Sequence, residues 1–213
     1  MKRQSLIAAI GVALASASSP ALAQQPMERW YAGASIGQST LKIDDSAVGV
    51  AGAPTQSISK EESDTGFKLF AGHRFTNTWG VEVGWVDFGK FAARNSVGPA
   101  PGSSSLDIKM SGFNIDGVGT WRLGNRFSLL ARLGGLISET KVSRAASGSV
   151  TLGAAASEKK SEVNVHFGVG AGYDISRALS VRAEFEQAQN LGDRNTTGEG
   201  SPSLLSVGLV VKF

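Results

Sequence analysis

The 213-residue chain has no cysteine and two histidines, which rules out a disulfide framework or thiolate metal site and argues against a zinc centre. Its formal charge of +3 includes Lys2 and Arg3; without them 19 basic residues face 18 acidic ones. So even a balance leaves no basic footprint for nucleic acid, and no nucleic-acid partner, cofactor or metal is expected.

Lys2 and Arg3 precede an apolar stretch at 6–17, and Ala21-Leu22-Ala23 supplies the small-x-small pattern that a signal peptidase accepts. At roughly 12 residues the stretch is too short to span a bilayer as a helix. Residues 1–23 therefore read as a cleaved signal peptide and 24–213 as one β-barrel domain. No later apolar run approaches the length of a membrane helix, but a barrel strand needs an apolar residue only at every second position.

Period-two alternation recurs along the chain. The first strand, about 30–40, sets Trp30, Ala32, Ala34 and Ile36 against Tyr31, Gly33, Ser35 and Gly37. The second, about 66–76, sets Phe67, Leu69, Ala71 and Phe75 against Lys68, Phe70, Gly72 and Arg74. The third, about 78–88, opposes Trp79, Val81, Val83 and Trp85 to Gly80, Glu82 and Gly84. The fourth, about 109–122, opposes Phe113, Ile115 and Trp121 to Asn114, Asp116 and Thr120.

The fifth, about 126–139, sets Phe127, Leu129, Leu133 and Ile137 against Ser128, Arg132 and Gly134. In the sixth, about 162–174, Val163, Val165, Phe167, Val169 and Tyr173 alternate with Asn164, His166, Gly168, Gly170 and Gly172. The seventh, about 178–189, opposes Leu179, Val181 and Phe185 to Arg182, Glu184 and Glu186. The eighth closes the chain with Leu205, Val207, Leu209, Val211 and Phe213. An even strand count suits a closed antiparallel barrel with both termini on one side.

Connections alternate in length. Those at 76–78, 123–125 and 175–177 are short, whereas those at 41–65, 89–108, 140–161 and 190–203 are long and rich in Ser, Gly, Ala and Pro. This predicts an all-β, eight-stranded antiparallel transmembrane β-barrel with short periplasmic turns and long extracellular loops.

Alternation alone does not say which face is outside, since a soluble ligand-carrying barrel also has eight strands. Trp30, Phe75, Trp79, Trp121, Phe127, Tyr173 and Phe213 all fall at short-turn ends on the apolar face, as a periplasmic aromatic girdle does. A second, looser aromatic set (Phe67, Trp85, Phe113, Phe167 and Phe185) lies further along. The opposite face is crowded with glycine, which suits a narrow lumen rather than water. The apolar face is therefore expected to meet lipid.

The lumen face carries Lys68, Arg74, Glu82, Asp116, Arg132, Arg182, Glu184 and Glu186. Buried charges persist when paired and hydrogen-bonded. Asp116 and Arg132 sit eight residues either side of Gly124, which places them opposite each other in a hairpin; Glu82 and Arg182 lie at similar depth. The set reads first as a charge network filling the interior, and alternatively as a gate. His166, with Glu184 and Glu186 one strand away, is the only candidate for a hydrolase acting on lipid. It faces the lumen and no serine has a distinctive setting, so no catalytic residue is assigned and an enzyme is not expected. Gly168-Val-Gly170-Ala-Gly172 lies within a strand with no helix following, unlike a nucleotide-binding loop.

In order, Trp30-Tyr31-Ala-Gly33-Ala, Gly66-Phe-Lys-Leu-Phe-Ala-Gly72, Trp79-Gly-Val-Glu82-Val-Gly84-Trp85, Arg132-Leu-Gly-Gly135 and Leu191-Gly192-Asp193 resemble the strand motifs of the OmpA-type outer-membrane barrel family. The closing Val-Gly208-Leu209-Val-Val211-Lys-Phe213 is similar to the C-terminal signal read by barrel-assembly machinery. The resemblance covers essentially the whole chain after the leader. It implies a gating salt bridge between a lumen Glu on the third strand and an Arg on the seventh, positions that Glu82 and Arg182 match. Full-length family members often carry a peptidoglycan-binding domain; with the chain ending at Phe213, cell-wall tethering is not carried over.

The expected role is that of a structural and surface-interaction protein of the Gram-negative outer membrane. A narrow gated channel is the first alternative and a lipid-modifying enzyme the second. Expected partners are outer-membrane lipid and lipopolysaccharide, assembly machinery at the C-terminal strand, and surface ligands at the loops.

Overall fold

The computed structural model describes residues 29–48, 55–99, 101–150, 156–191 and 200–213; the leader at 1–23 and, from the Leu191-Gly192-Asp193 motif, Gly192 and Asp193 lie outside the described residues. The strands are β1 (Trp30–Thr40), β2 (Thr55–Glu61), β3 (Ser63–Arg74), β4 (Trp79–Gly98), β5 (Gly102–Leu123), β6 (Phe127–Gly148), β7 (Ser157–Asp174), β8 (Leu179–Ala188) and β9 (Ser203–Lys212). From β3 to β9 each strand pairs antiparallel with the next, and β1 pairs with both β3 and β9, so eight strands close a ring. The extra strand, β2, continues the line of β3 across Glu62 and pairs with the outer half of β4, from Thr55↔Gly98 to Glu61↔Ala92. Closure leaves the membrane-spanning staves without an open edge, the condition for a sheet in lipid.

Alternation sorts the two faces. Ile36, Phe113, Leu133, Val163 and Leu205 point outward, with Phe113 64% and Val163 76% exposed. Apolar exposure on that scale around a whole ring is stable only against an apolar surrounding. Several inward positions are glycine because there is little room. A Cβ on Gly72 would meet the Tyr31 ring, and one on Gly134 would overlap the Ile115 carbonyl.

Two expectations from the sequence are corrected. Asp116 and Arg132 are not register partners: Asp116 pairs with Gly134 and Arg132 with Val118. The turn holds three residues, Gly124 to Arg126, between Leu123 and Phe127, with Gly124 at φ 81°. The hairpin axis therefore passes through Asn125, shifting the register by two.

The long connections are also less loop-like than their composition implies. β4 runs to Gly98 and β5 begins at Gly102, while β6 runs to Gly148 and β7 begins at Ser157. These hairpins extend beyond the apolar band because their inner face is apolar. Phe88, Phe91, Leu106, Ile108, Met110 and Val142 are buried in one cluster, together with Leu41, Ile43 and Val48 from the segment following β1. That segment folds inward around a 3-10 turn at Asp45–Ala47, and the Val48 carbonyl accepts from Asn95 Nδ2 at 3.1 Å and Ser104 Oγ at 2.8 Å. A register shift between Asp87 and Gly89 helps build this plug. Gly89 adopts φ 84°, and the extra residue reverses the phase of β4, so that both Phe88 and Phe91 face inward.

Candidate functional site

At mid-barrel, inward positions on β3 to β8 converge. Lys68 comes from β3, Glu82 from β4, Asp116 from β5, Arg132 from β6, His166 from β7, and Arg182, Glu184 and Glu186 from β8. All are buried, so the ions depend on one another rather than on water.

Arg132 is the hub. Its Nη1 lies 2.6 Å from Glu82 Oε1, 3.0 Å from Glu186 Oε1 and 3.3 Å from Asp116 Oδ2, and its Nη2 donates to Glu184 Oε1 at 2.5 Å. A planar guanidinium can serve several carboxylates at once, which an ammonium does with less directionality. Arg182 donates to Glu82 Oε2 at 2.8 Å and lies 3.7 Å from Glu184. Lys68 donates to Glu186 and stands 3.6 Å from Glu82 and 4.0 Å from Glu184.

Further polar groups complete the shell. Tyr31 donates its hydroxyl to Glu82 Oε2 at 3.2 Å, and Asn114 Nδ2 donates to Asp116 Oδ2 at 2.7 Å. His166 Nδ1 is 3.0 Å from both Asp116 oxygens, so the histidine addresses β5 rather than the glutamates of neighbouring β8. Arg74, grouped with this set in the sequence, sits with its guanidinium 5.4 Å from the Tyr31 ring centroid. It lines a cavity of about 20 Å³ with Thr120, Ser128, Ser180, Arg182 and Lys212, room for about one water.

The glycine run on β7 belongs to the same construction. Gly168, Gly170 and Gly172 are register partners of Glu186, Glu184 and Arg182. A Cβ would meet Glu186 Cγ at 3.0 Å from Gly168, and Glu184 Cγ at 2.9 Å from Gly170. Missing side chains on β7 thus make room for the charged ladder of β8.

Two layers flank the cluster. On the outer side lies the apolar plug. Its segment 41–48 is tied down by Lys60, which donates to the Ile43 carbonyl and pairs with Asp45 at 2.6 Å. The hydrogen bond to Asp45 holds the Lys60 ammonium above its ordinary pKa. On the other side, at the short-turn ends, Trp30, Phe75, Trp79, Trp121, Phe127 and Phe213 are exposed on the outward face. Tyr173 is half-buried with its ring 4.9 Å from that of Phe127, and Trp79 stands 6.1 Å from Trp121. His73 packs on Trp30 at 4.3 Å. Leu209, Val211 and Phe213 project outward along the closing seam, where Phe213 N donates to the Trp30 carbonyl at 2.9 Å.

Sequence reasoning did not find the hub role of Arg132, the contributions of Tyr31 and Asn114, or the plug. The alternation Leu106-Asp-Ile108-Lys-Met110 was a signal for the last of these, masked by its serine-rich surroundings.

The model of the OmpA-like transmembrane domain matches residues 25–213. Outer membrane protein A of Salmonella typhi is 27% identical over 208 residues, covering 96% of this chain and 54% of the relative. Its counterpart in Shigella flexneri is 26% identical, with the same coverage. The chain thus spans about half the length of the curated relatives it matches. Among solved structures, Neisserial surface protein A superposes with a TM-score of 0.55 at 17% identity, covering 86% of this chain and 97% of that one. OprG from Pseudomonas aeruginosa gives 0.50 at 16% identity, covering 87% and 96%. These likenesses show the fold, and the relatives place the chain in the Gram-negative outer membrane as an integral barrel.

Proposed function

The chain belongs to the OmpA-like transmembrane domain family, and from that premise we propose that it is a structural and surface-interaction protein whose barrel is closed to conduction at rest. One observation carries this reading: the lumen is filled twice, by the charge cluster around Arg132 and, above it, by the apolar plug around Phe88 and Phe91. The hairpin extensions then act as the rigid display surface for ligands outside the cell. Residues 1–23 serve as the cleaved leader. The aromatic ring from Trp30 to Phe213 sits at the periplasmic interface, and Leu209, Val211 and Phe213 present the assembly signal. Lipopolysaccharide is the lipid partner.

A gated channel is the second reading, favoured by one feature. Glu82 is shared by Arg132, Arg182 and Lys68, so a pair can exchange without leaving the carboxylate alone. A lipid-modifying enzyme gains no support, because His166 is buried on the lumen side with Asp116, away from lipid. Single-channel recording of the refolded chain in planar bilayers, with Glu82→Ala alongside, tests the choice. A silent bilayer containing folded protein is expected; discrete openings whose frequency changes in Glu82→Ala would instead install the channel.

A further inference from the structure

Beyond the apolar band, the outer face carries an arrangement that filling the lumen does not explain. Lys90, Lys109, Lys141 and Lys159 stand on β4, β5, β6 and β7, and each is the register partner of the next. Register partners share a face and neighbouring strands lie about 4.8 Å apart, so the four form a row on the order of 15 Å wide. Their side chains are 56–62% exposed. Like charges directly opposite each other on a sheet are destabilising, and here three such juxtapositions follow in succession.

The carboxylates beside the row offset only part of that repulsion. Asp107 is 3.4 Å from Lys90, Asp87 is 3.7 Å from Lys109, and Glu139 serves both Lys141 at 2.8 Å and Lys159 at 2.6 Å. Three carboxylates thus face four ammonium groups, and Arg94 adds a further exposed cation on β4. Exposed pairs of this kind contribute little, because water and salt screen them.

Position supplies the second argument. On β5, β6 and β7 the outward residues four places below the row are Phe113, Ile137 and Val163, all exposed. At about 3.3 Å per residue and a tilt near 40°, the lysines stand about 10 Å beyond these apolar side chains, at the headgroup layer. Across the barrel, Thr40, Ser203 and Gln187, paired in sequence, continue the outward face without an ionisable group.

We infer that the lysine row binds the phosphate groups of an outer-leaflet glycolipid, with its acyl chains lying along Phe113, Ile137 and Val163. This deepens the assignment of lipopolysaccharide as lipid partner and rests on it. A phosphate between two lysines replaces ammonium–ammonium repulsion with two charge-assisted hydrogen bonds. The apolar strip beneath favours a lipid over a soluble anion, because one molecule then satisfies both surfaces.

The test is a titration of the full chain in detergent micelles with lipopolysaccharide, the same glycolipid stripped of phosphate, and inorganic phosphate, read by native mass spectrometry. Replacing all four lysines by glutamine is expected to weaken lipopolysaccharide binding at least tenfold, while replacing all four by arginine preserves it. Removing the lipid phosphates should cost the wild type at least tenfold. Glu139→Gln, which frees Lys141 and Lys159, should tighten binding severalfold. Equal binding by the wild type and the glutamine variant overturns the site, as does equal binding of the dephosphorylated lipid. Saturation by inorganic phosphate at the same concentrations overturns the lipid assignment. A folded wild type that binds no lipopolysaccharide in the micelles loses the partner along with the site, whereas binding that survives the glutamine substitutions loses only the site.

Discussion

Arg132 and Glu82 meet across the lumen at 2.6 Å, although β5 separates the strands that carry them. Arg182 holds the other oxygen of the same carboxylate at 2.8 Å. The two arginines are not equivalent: Arg132 also faces Asp116, Glu184 and Glu186. If Arg182 is removed, Glu82 retains Arg132 and Lys68. If Arg132 is removed, Asp116 loses its arginine and three glutamates are left to share Lys68 and Arg182.

Arg132→Met is therefore expected to destabilise the barrel by about 3–5 kcal/mol, the usual cost of breaking a buried ion network from one side. Arg182→Met should cost no more than about half of that. Urea unfolding of both variants in micelles measures the difference. A larger loss in Arg182→Met would displace Arg132 from the centre of the network.

The eight strands of the ring and the sorting of faces were readable because each depends on local alternation, which one strand reveals by itself; β2, inside the segment 41–65 expected as a loop, was not. The partners of Arg132 were not, because depth relative to β4 and β8 depends on the shear of the closed ring. Even the adjacent β5–β6 hairpin was misjudged by two residues, since the centre of its turn is Asn125. The plug failed to show for a different reason. Serine, alanine and glycine resemble loop composition, yet backbone pairing from Gly102↔Gly148 downward orders them. The bulge at Gly89 also reverses the alternation just where Phe91 begins to matter. Like the network, the lysine row emerges only when four registers are laid side by side.

Phe88 and Phe91 lead to a prediction about conduction. Both are fully buried, and replacing each by alanine should cost about 3–5 kcal/mol if the cavity does not collapse. If the plug is a seal independent of the ion network, Glu82→Ala alone stays silent in a planar bilayer. The triple change Glu82→Ala with Phe88→Ala and Phe91→Ala then gives openings. Conduction by Glu82→Ala alone would show that the plug does not seal.

Lys60 provides a pH-dependent handle on the segment 41–48. Its ammonium is raised above the ordinary lysine value, first through its hydrogen bond with Asp45. A raised folded pKa means that the contribution is complete below the unfolded value, about 10.4, and is lost as pH climbs through the folded one. Subtilisin should therefore cut within 41–48 severalfold faster at pH 11 than at pH 8, and Lys60→Met should already show the faster rate at pH 8. Equal cutting of the wild type at both pH values, with the enzyme's own pH response corrected for, would remove Lys60 as the anchor.

Gly134 and Gly117 make a matched pair on neighbouring strands. A Cβ at Gly134 would overlap the Ile115 carbonyl and crowd the Asp116 carboxylate at 2.5 Å, whereas one at Gly117 has its nearest neighbour, the Leu133 carbonyl, at 3.7 Å. A backbone carbonyl within a closed barrel has little freedom to retreat, so Gly134→Ala is expected to cost at least the 1–3 kcal/mol typical of overpacking. It should also slow assembly, because the same crowding displaces Asp116 from Arg132. Gly117→Ala should stay within about 0.5 kcal/mol of wild type, as surface substitutions do. Heat-modifiable migration on gels reports the folded fraction, and urea unfolding reports the cost. Equal tolerance at both sites would mean that lumen glycines are not required by close approach at the charge cluster.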